Sequence, residues 1–90
     1  MLIQYARYQK GKRKRQPYAC FVAESSSKVG WSLCHRKDMF VKKIGKEIAK
    51  NRAQQGTNFN LENIPPRLKK EFERFVMRAK RYYDREQSLD

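Results

Sequence analysis

Ninety residues make one small domain, 1–90, with a modest core, because a chain this short buries little more than about 60% of the surface that its unfolded form exposes. Hydrophobic residues at 39% and aromatic residues at 12% exclude a wholly disordered chain. Lys and Arg number 22 against 9 Asp and Glu, and the resulting +13 exceeds the roughly 2–8 charges that solubility asks of a small domain, so a polyanionic partner is expected.

Residues 1–9 (MLIQYARYQ) mix Leu2 and Ile3 with Tyr5 and Tyr8 and read as an edge strand. The segment 10–17 (KGKRKRQP) follows. Five like charges in six residues (Lys10, Lys12, Arg13, Lys14, Arg15) repel one another and resist packing, so an exposed basic loop or arm is expected, closed by Pro17.

Residues 18–24 (YACFVAE) and 29–34 (VGWSLC) are apolar and β-prone, with Ser25–Lys28 as the turn between them. Pairing about that turn sets Ala23 opposite Trp31, Phe21 opposite Leu33 and Cys20 opposite Cys34. Alternation then gathers Ala19, Phe21, Ala23, Trp31 and Leu33 on one face, the sheet side of the core. Gly30 marks a bulge or a close backbone approach.

Asp38 is a good cap for a helix from about Met39 to Gln55. Val41, Ile44, Ile48 and Ala49 recur at helical spacing, with Gly45 on the same stripe to let the helix approach the sheet. Gly56 stops this helix. Residues 57–63 read as a polar connection anchored by Phe59 and Leu61. Pro65 and Pro66 open a second helix, whose buried stripe is Leu68, Phe72, Phe75, Val76, Ala79, Tyr82 and Tyr83, fraying by Gln87. The expected fold is two-layer α+β, with a small antiparallel sheet of two or three strands and both α-helices on one face.

The charge is concentrated toward the N-terminus. Residues 1–60 hold 14 basic and 3 acidic side chains, whereas residues 61–90 hold 8 and 6. On the first helix Lys42, Lys46 and Lys50 follow one another at four-residue steps, with Lys43 beside them and Glu47 the only acid. Arg36 and Lys37 precede the helix and Arg52 lies near its end. If loop and helix lie on one side, they form a continuous phosphate-contacting surface without sequence preference. Tyr5 and Tyr8 interleave with Arg7 and Lys10, a pattern suited to stacking bases.

Other chemistries have little to stand on. Cys20, Cys34 and His35 lack a C-x-x-C pair or second cluster, so no metal site is expected. His35 and Asp38 form no catalytic constellation with a nucleophile, and the acids are scattered, so neither an enzyme nor a bound cofactor is expected. The start MLIQYARYQKGKRKRQ lacks the apolar core of a secretory signal, and the longest apolar run, Tyr18–Ala23, is far too short to span a membrane. A cytoplasmic protein with no membrane partner is expected. Oligomeric state is left open.

Four pieces of the chain carry a resemblance: G-W-S-x-C over Gly30–Cys34, K-D-x-F over Lys37–Phe40, K-x-x-G-x-x-I-A-x-x-R-A ending at Ala53, and a proline-led helix with R-A-K-x-Y from Arg78. In these the chain resembles small accessory proteins encoded by bacteriophages, over roughly residues 18–83. The resemblance implies a phage factor made in bacterial host cytoplasm and brings no mechanism with it. The expected function is non-enzymatic binding of DNA or RNA phosphates. The alternative is an inhibitor docking on an acidic surface of a host protein such as a nuclease, polymerase or defence complex. An exposed apolar patch beside the basic face would favour that alternative. A third class, packaging of condensed nucleic acid, shares the same charge argument.

Overall fold

A computed structural model describes residues 1–35 and 38–88. Three strands, β1 (Leu2–Arg7), β2 (Pro17–Ser25) and β3 (Lys28–Leu33), form an antiparallel sheet in the order β1-β2-β3. Helix α1 (Lys42–Ala53), a short helix α2 (Thr57–Glu62), a 3-10 turn (Pro66–Leu68) and helix α3 (Lys69–Ser88) follow. This is the α+β class expected from the sequence, with residues 1–9 supplying the third strand at the sheet edge.

The hairpin register differs from expectation by two residues. Phe21 pairs with Trp31, Ala19 with Leu33 and Ala23 with Val29, while Cys20 opposes Ser32 and not Cys34. The turn is tighter than expected: Ser25 pairs with Lys28, and a bulge between Ala23 and Ser25 absorbs Glu24. A slip of two preserves the alternation, so the expected face of Ala19, Phe21, Ala23, Trp31 and Leu33 is the face found. A slip of one would have exchanged the faces.

The helices do not share one face. The odd-numbered side chains of β2 pack with Trp31, Phe72 and Phe75, the face covered by α3. Cys20 and Val22 pack with Ala49, Ile3, Tyr5 and Phe40, the face covered by α1. The sheet is therefore sandwiched between α1 and α3. The physical reason lies in β2, which is apolar without a break from Tyr18 to Ala23 and offers both faces for burial. Burial pushes the Cys20 thiol up to about 11, with Lys46 partly opposing, so it stays a protonated core group at neutral pH.

The buried face of α1 is Gly45, Ala49 and Ala53, and Ala49 and Ala53 lie against the sheet. Of the expected stripe, Ala49 and Gly45 are buried, whereas Val41, Ile44 and Ile48 turn away from the core at 50%, 56% and 40% exposure. The close approach is made by Gly30, where a Cβ would lie 2.2 Å from the Ala49 carbonyl oxygen. Gly45 accommodates the Phe40 ring instead. Asp38 does not cap α1. The helix starts at Lys42 behind Val41 with no side-chain cap, and the Asp38 amide donates to the His35 carbonyl.

Residues 57–63 hold α2. Of the expected anchors Leu61 packs on the core and Phe59 is 45% exposed, while Thr57 and Asn60 are buried. The Val29 amide donates to Thr57 Oγ1 (3.1 Å), and Asn60 Nδ2 donates to the Val29 carbonyl (2.8 Å). Arg52 Nη1 donates to the Trp31 carbonyl (3.0 Å). These side chains occupy backbone groups along the outer edge of β3, which would otherwise be open for pairing with another strand. Leu68 at the end of the 3-10 turn and Phe72, Phe75, Val76 and Ala79 on α3 are buried as expected. Tyr83 donates to the Ala23 carbonyl (2.7 Å), and Tyr82 is exposed.

Candidate nucleic-acid interface

The basic loop is the connection of the β1–β2 hairpin, and the backbone holds it in shape. Tyr8 donates to the Gln16 carbonyl (2.9 Å) and Arg15 to the Tyr8 carbonyl (2.8 Å), with further bonds from Lys14 to Gly11 and Gln16 to Arg13. Gly11 and Arg15 adopt positive φ (84° and 73°). Arg15 lacks the freedom of glycine, so its conformation costs on the order of 1–2 kcal/mol. The hydrogen bond from its amide to the Tyr8 carbonyl and that from Arg7 Nη1 to its own carbonyl (2.9 Å) hold it there. Repulsion among Lys10, Lys12, Arg13, Lys14 and Arg15 keeps these five side chains exposed at the hairpin tip.

Helix α1 lies on β2 and β3. Its sheet-facing stripe divides the remaining surface into two flanks. Lys42, Lys46 and Lys50 lie on the flank toward β1, with Lys43 farther round. Val41, Ile44 and Ile48 lie on the opposite flank. Tyr5 joins the first flank to the loop. Its ring has Lys42 Nζ 5.2 Å from the centroid and the Arg7 guanidinium at 5.8 Å, with Phe40 edge-on at 6.1 Å. Arg7 in turn reaches the Arg15 carbonyl. The hairpin tip, Arg7, Tyr5 and the lysine row thus form one connected series. On the loop's other side, Tyr8, Arg13 and Gln16 border a cleft shared with Asp38, Met39 and Phe40 ahead of α1.

Several expected members stand elsewhere. Tyr8 faces away from Tyr5: it packs on Tyr18 (4.9 Å between centroids) with the Arg67 guanidinium 5.6 Å from its ring. A β-bulge between Ala6 and Arg7 turns Tyr18 to the α3 face, where its hydroxyl donates to Glu71 (3.0 Å). Hydrogen bonds from Arg67 and then Arg13 hold the Tyr8 phenol below its usual value, a sign of positive surroundings. Arg52 lies 4.0 Å from the Trp31 ring centroid, and burial lowers its pKa. It serves as an internal clamp on β3. Arg36 and Lys37 lie outside the described residues.

Arg7 belongs to the series, although the sequence marked it only as a neighbour of the tyrosines and not as a phosphate contact. Its position two residues after Tyr5 on a strand was the available signal, since period-2 alternation puts both on one face. Among the described residues no three His, Cys, Asp or Glu side chains gather as metal ligands, and no helix is long and apolar enough to cross a membrane. Cys20 and Cys34 are free thiols. No protein-family model, curated protein or solved structure matches the chain.

Proposed function

We propose that this protein binds nucleic acid through the flank running from the β1–β2 hairpin tip along Arg7, Tyr5 and the lysine row of α1. The observation that carries the reading is the Arg7–Tyr5–Lys42 junction, which makes two separate basic segments of sequence one surface. Lysine and arginine side chains in this arrangement neutralise phosphates and release counterions, and they read no base edges. The phage resemblance supports a place of work in the cytoplasm of a bacterial host, as an accessory factor without catalysis.

Contact with about six phosphates gives a log–log slope of affinity against salt near −5 on duplex DNA. Fluorescence anisotropy of a labelled duplex between 50 and 200 mM salt reads this slope directly. Binding unchanged across that range would overturn the proposal.

A second reading rests on its own observation. Met39 is 88% exposed, and it adjoins Val41, Ile44 and Ile48 along the other flank of α1. An exposed apolar row favours a protein partner, which the net charge would steer toward acidic surfaces. In that case a stoichiometric protein is retained from nuclease-treated bacterial lysate by the wild type and lost with Ile44→Lys/Ile48→Lys. Equal recovery with both chains counts against this second reading.

A further inference from the structure

We infer that the basic flank takes double-stranded nucleic acid, gripping its backbone, in preference to single strands. The inference rests on the nucleic-acid reading above and names its substrate class. Single strands are held by combining a cationic groove with aromatic rings on which successive bases stack, and each such stack multiplies affinity roughly five- to a hundredfold. The rings that the sequence interleaves with basic residues are already engaged. Tyr5 has Lys42 and Arg7 near its ring and Phe40 edge-on against it. Tyr8 lies on the opposite side of the sheet against Tyr18 and Arg67. Trp31 is buried with Arg52 near its ring. Tyr5 packs with the Cys20–Val22–Ala49 cluster and Tyr8 with the Phe21 cluster on the other face, so the two rings do not form one stacking platform.

Phosphate contact is what remains, and it is strongest where charge is densest. A duplex carries one charge per about 1.7 Å of axis, against 3.4 Å for each of its strands, and counterion release per contact is larger for duplex than for single strands. The row Lys42–Lys46–Lys50 advances in steps of about 6 Å, four residues of helix rise each, and so presents its charges as a line along a backbone. DNA and RNA duplexes share this phosphate chemistry.

The test is anisotropy titration of the full chain with a 20-bp DNA duplex, a 20-bp RNA duplex and the corresponding single strands, at 100 mM salt. At least one duplex is expected to bind about tenfold or more tightly than either single strand, and the tighter duplex identifies the source. Tyr8→Leu, at a ring outside the flank, is expected to change single-strand affinity less than threefold. Single strands binding as tightly as both duplexes, or a tenfold loss confined to single strands in Tyr8→Leu, overturns the inference and leaves phosphate binding standing. Absence of binding to every form, or binding indifferent to salt, overturns both.

Discussion

Gly30→Ala is expected to destabilise this protein strongly. A Cβ at that position would sit 2.2 Å from the Ala49 carbonyl oxygen, 2.4 Å from the Ala53 amide nitrogen and 2.9 Å from Ala53 Cα. All three are backbone atoms of α1, so no rotamer change relieves the overlap. The helix would have to lift from the sheet, withdrawing Ala49 from Cys20 and Val22. Overpacking of this kind costs about 3 kcal/mol or more, against a total of roughly 5–13 kcal/mol for a domain this size. The expected fall in melting temperature is about 12–25 °C. Gly45→Ala is the internal control. Its Cβ would first meet the edge of the Phe40 ring, a partly buried side chain and not backbone, and the substitution gains up to about 1 kcal/mol of helix propensity. Thermal melts of the two variants should differ by about 10 °C or more. Equal melts would mean that α1 is not seated on Gly30.

Asn60→Leu is expected to cost about 2–4 kcal/mol, although leucine fills nearly the same volume. Asn60 is 1% exposed, and its Nδ2 lies 2.8 Å from the Val29 carbonyl, 2.7 Å from the Arg52 carbonyl and 2.9 Å from the Gly56 carbonyl. One amide group thus ties the edge of β3, the end of α1 and the turn into α2. Leucine leaves three inward-facing carbonyl oxygens without this donor. Asn60→Asp keeps the shape, loses the donor and should fare no better. Urea unfolding of both variants checks the claim: midpoints within error of the wild type would show that volume, not donation, holds this corner. Loss of the bond also uncovers part of the β3 edge, so aggregation on heating should rise.

Much of the fold could be read from the residues because its signals were redundant. The Ala19–Phe21–Ala23 alternation survived a register error of two, since only odd slips exchange faces. The Leu68–Phe72–Phe75–Val76–Ala79 stripe is apolar throughout and has one solution. On α1, by contrast, two stripes compete at the same period. The expected stripe joined Val41, Ile44 and Ile48 to Gly45 and Ala49, yet only its two small members are buried, together with Ala53, because Gly30 admits helix backbone and no bulky side chain. That choice depends on a glycine in a different element, which a helix-by-helix reading does not weigh. Thr57 and Asn60 were hidden for a related reason: polar residues look like a loop until the strand edge they satisfy is in place.

The candidate site was legible in its parts and not in its assembly. The loop and the lysine row announce themselves by charge alone. Their junction through Arg7, Tyr5 and Lys42 needs the pairing of β1 with β2 and the seat of α1, neither of which local sequence specifies. Arg52 looks like one more surface cation. Its neighbour Trp31 is a tertiary contact, and that contact turns it inward.

The most direct measurement compares two triple variants of equal charge change on duplex DNA. Lys42→Glu/Lys46→Glu/Lys50→Glu alters the proposed flank, and Lys69→Glu/Lys70→Glu/Lys80→Glu alters α3. The account predicts that the first variant lowers the steepness of the salt dependence by about three units with a large loss of affinity, while the second stays close to the wild type. Equal losses in both variants would contradict it, since net charge and not the arrangement of the flank would then govern binding.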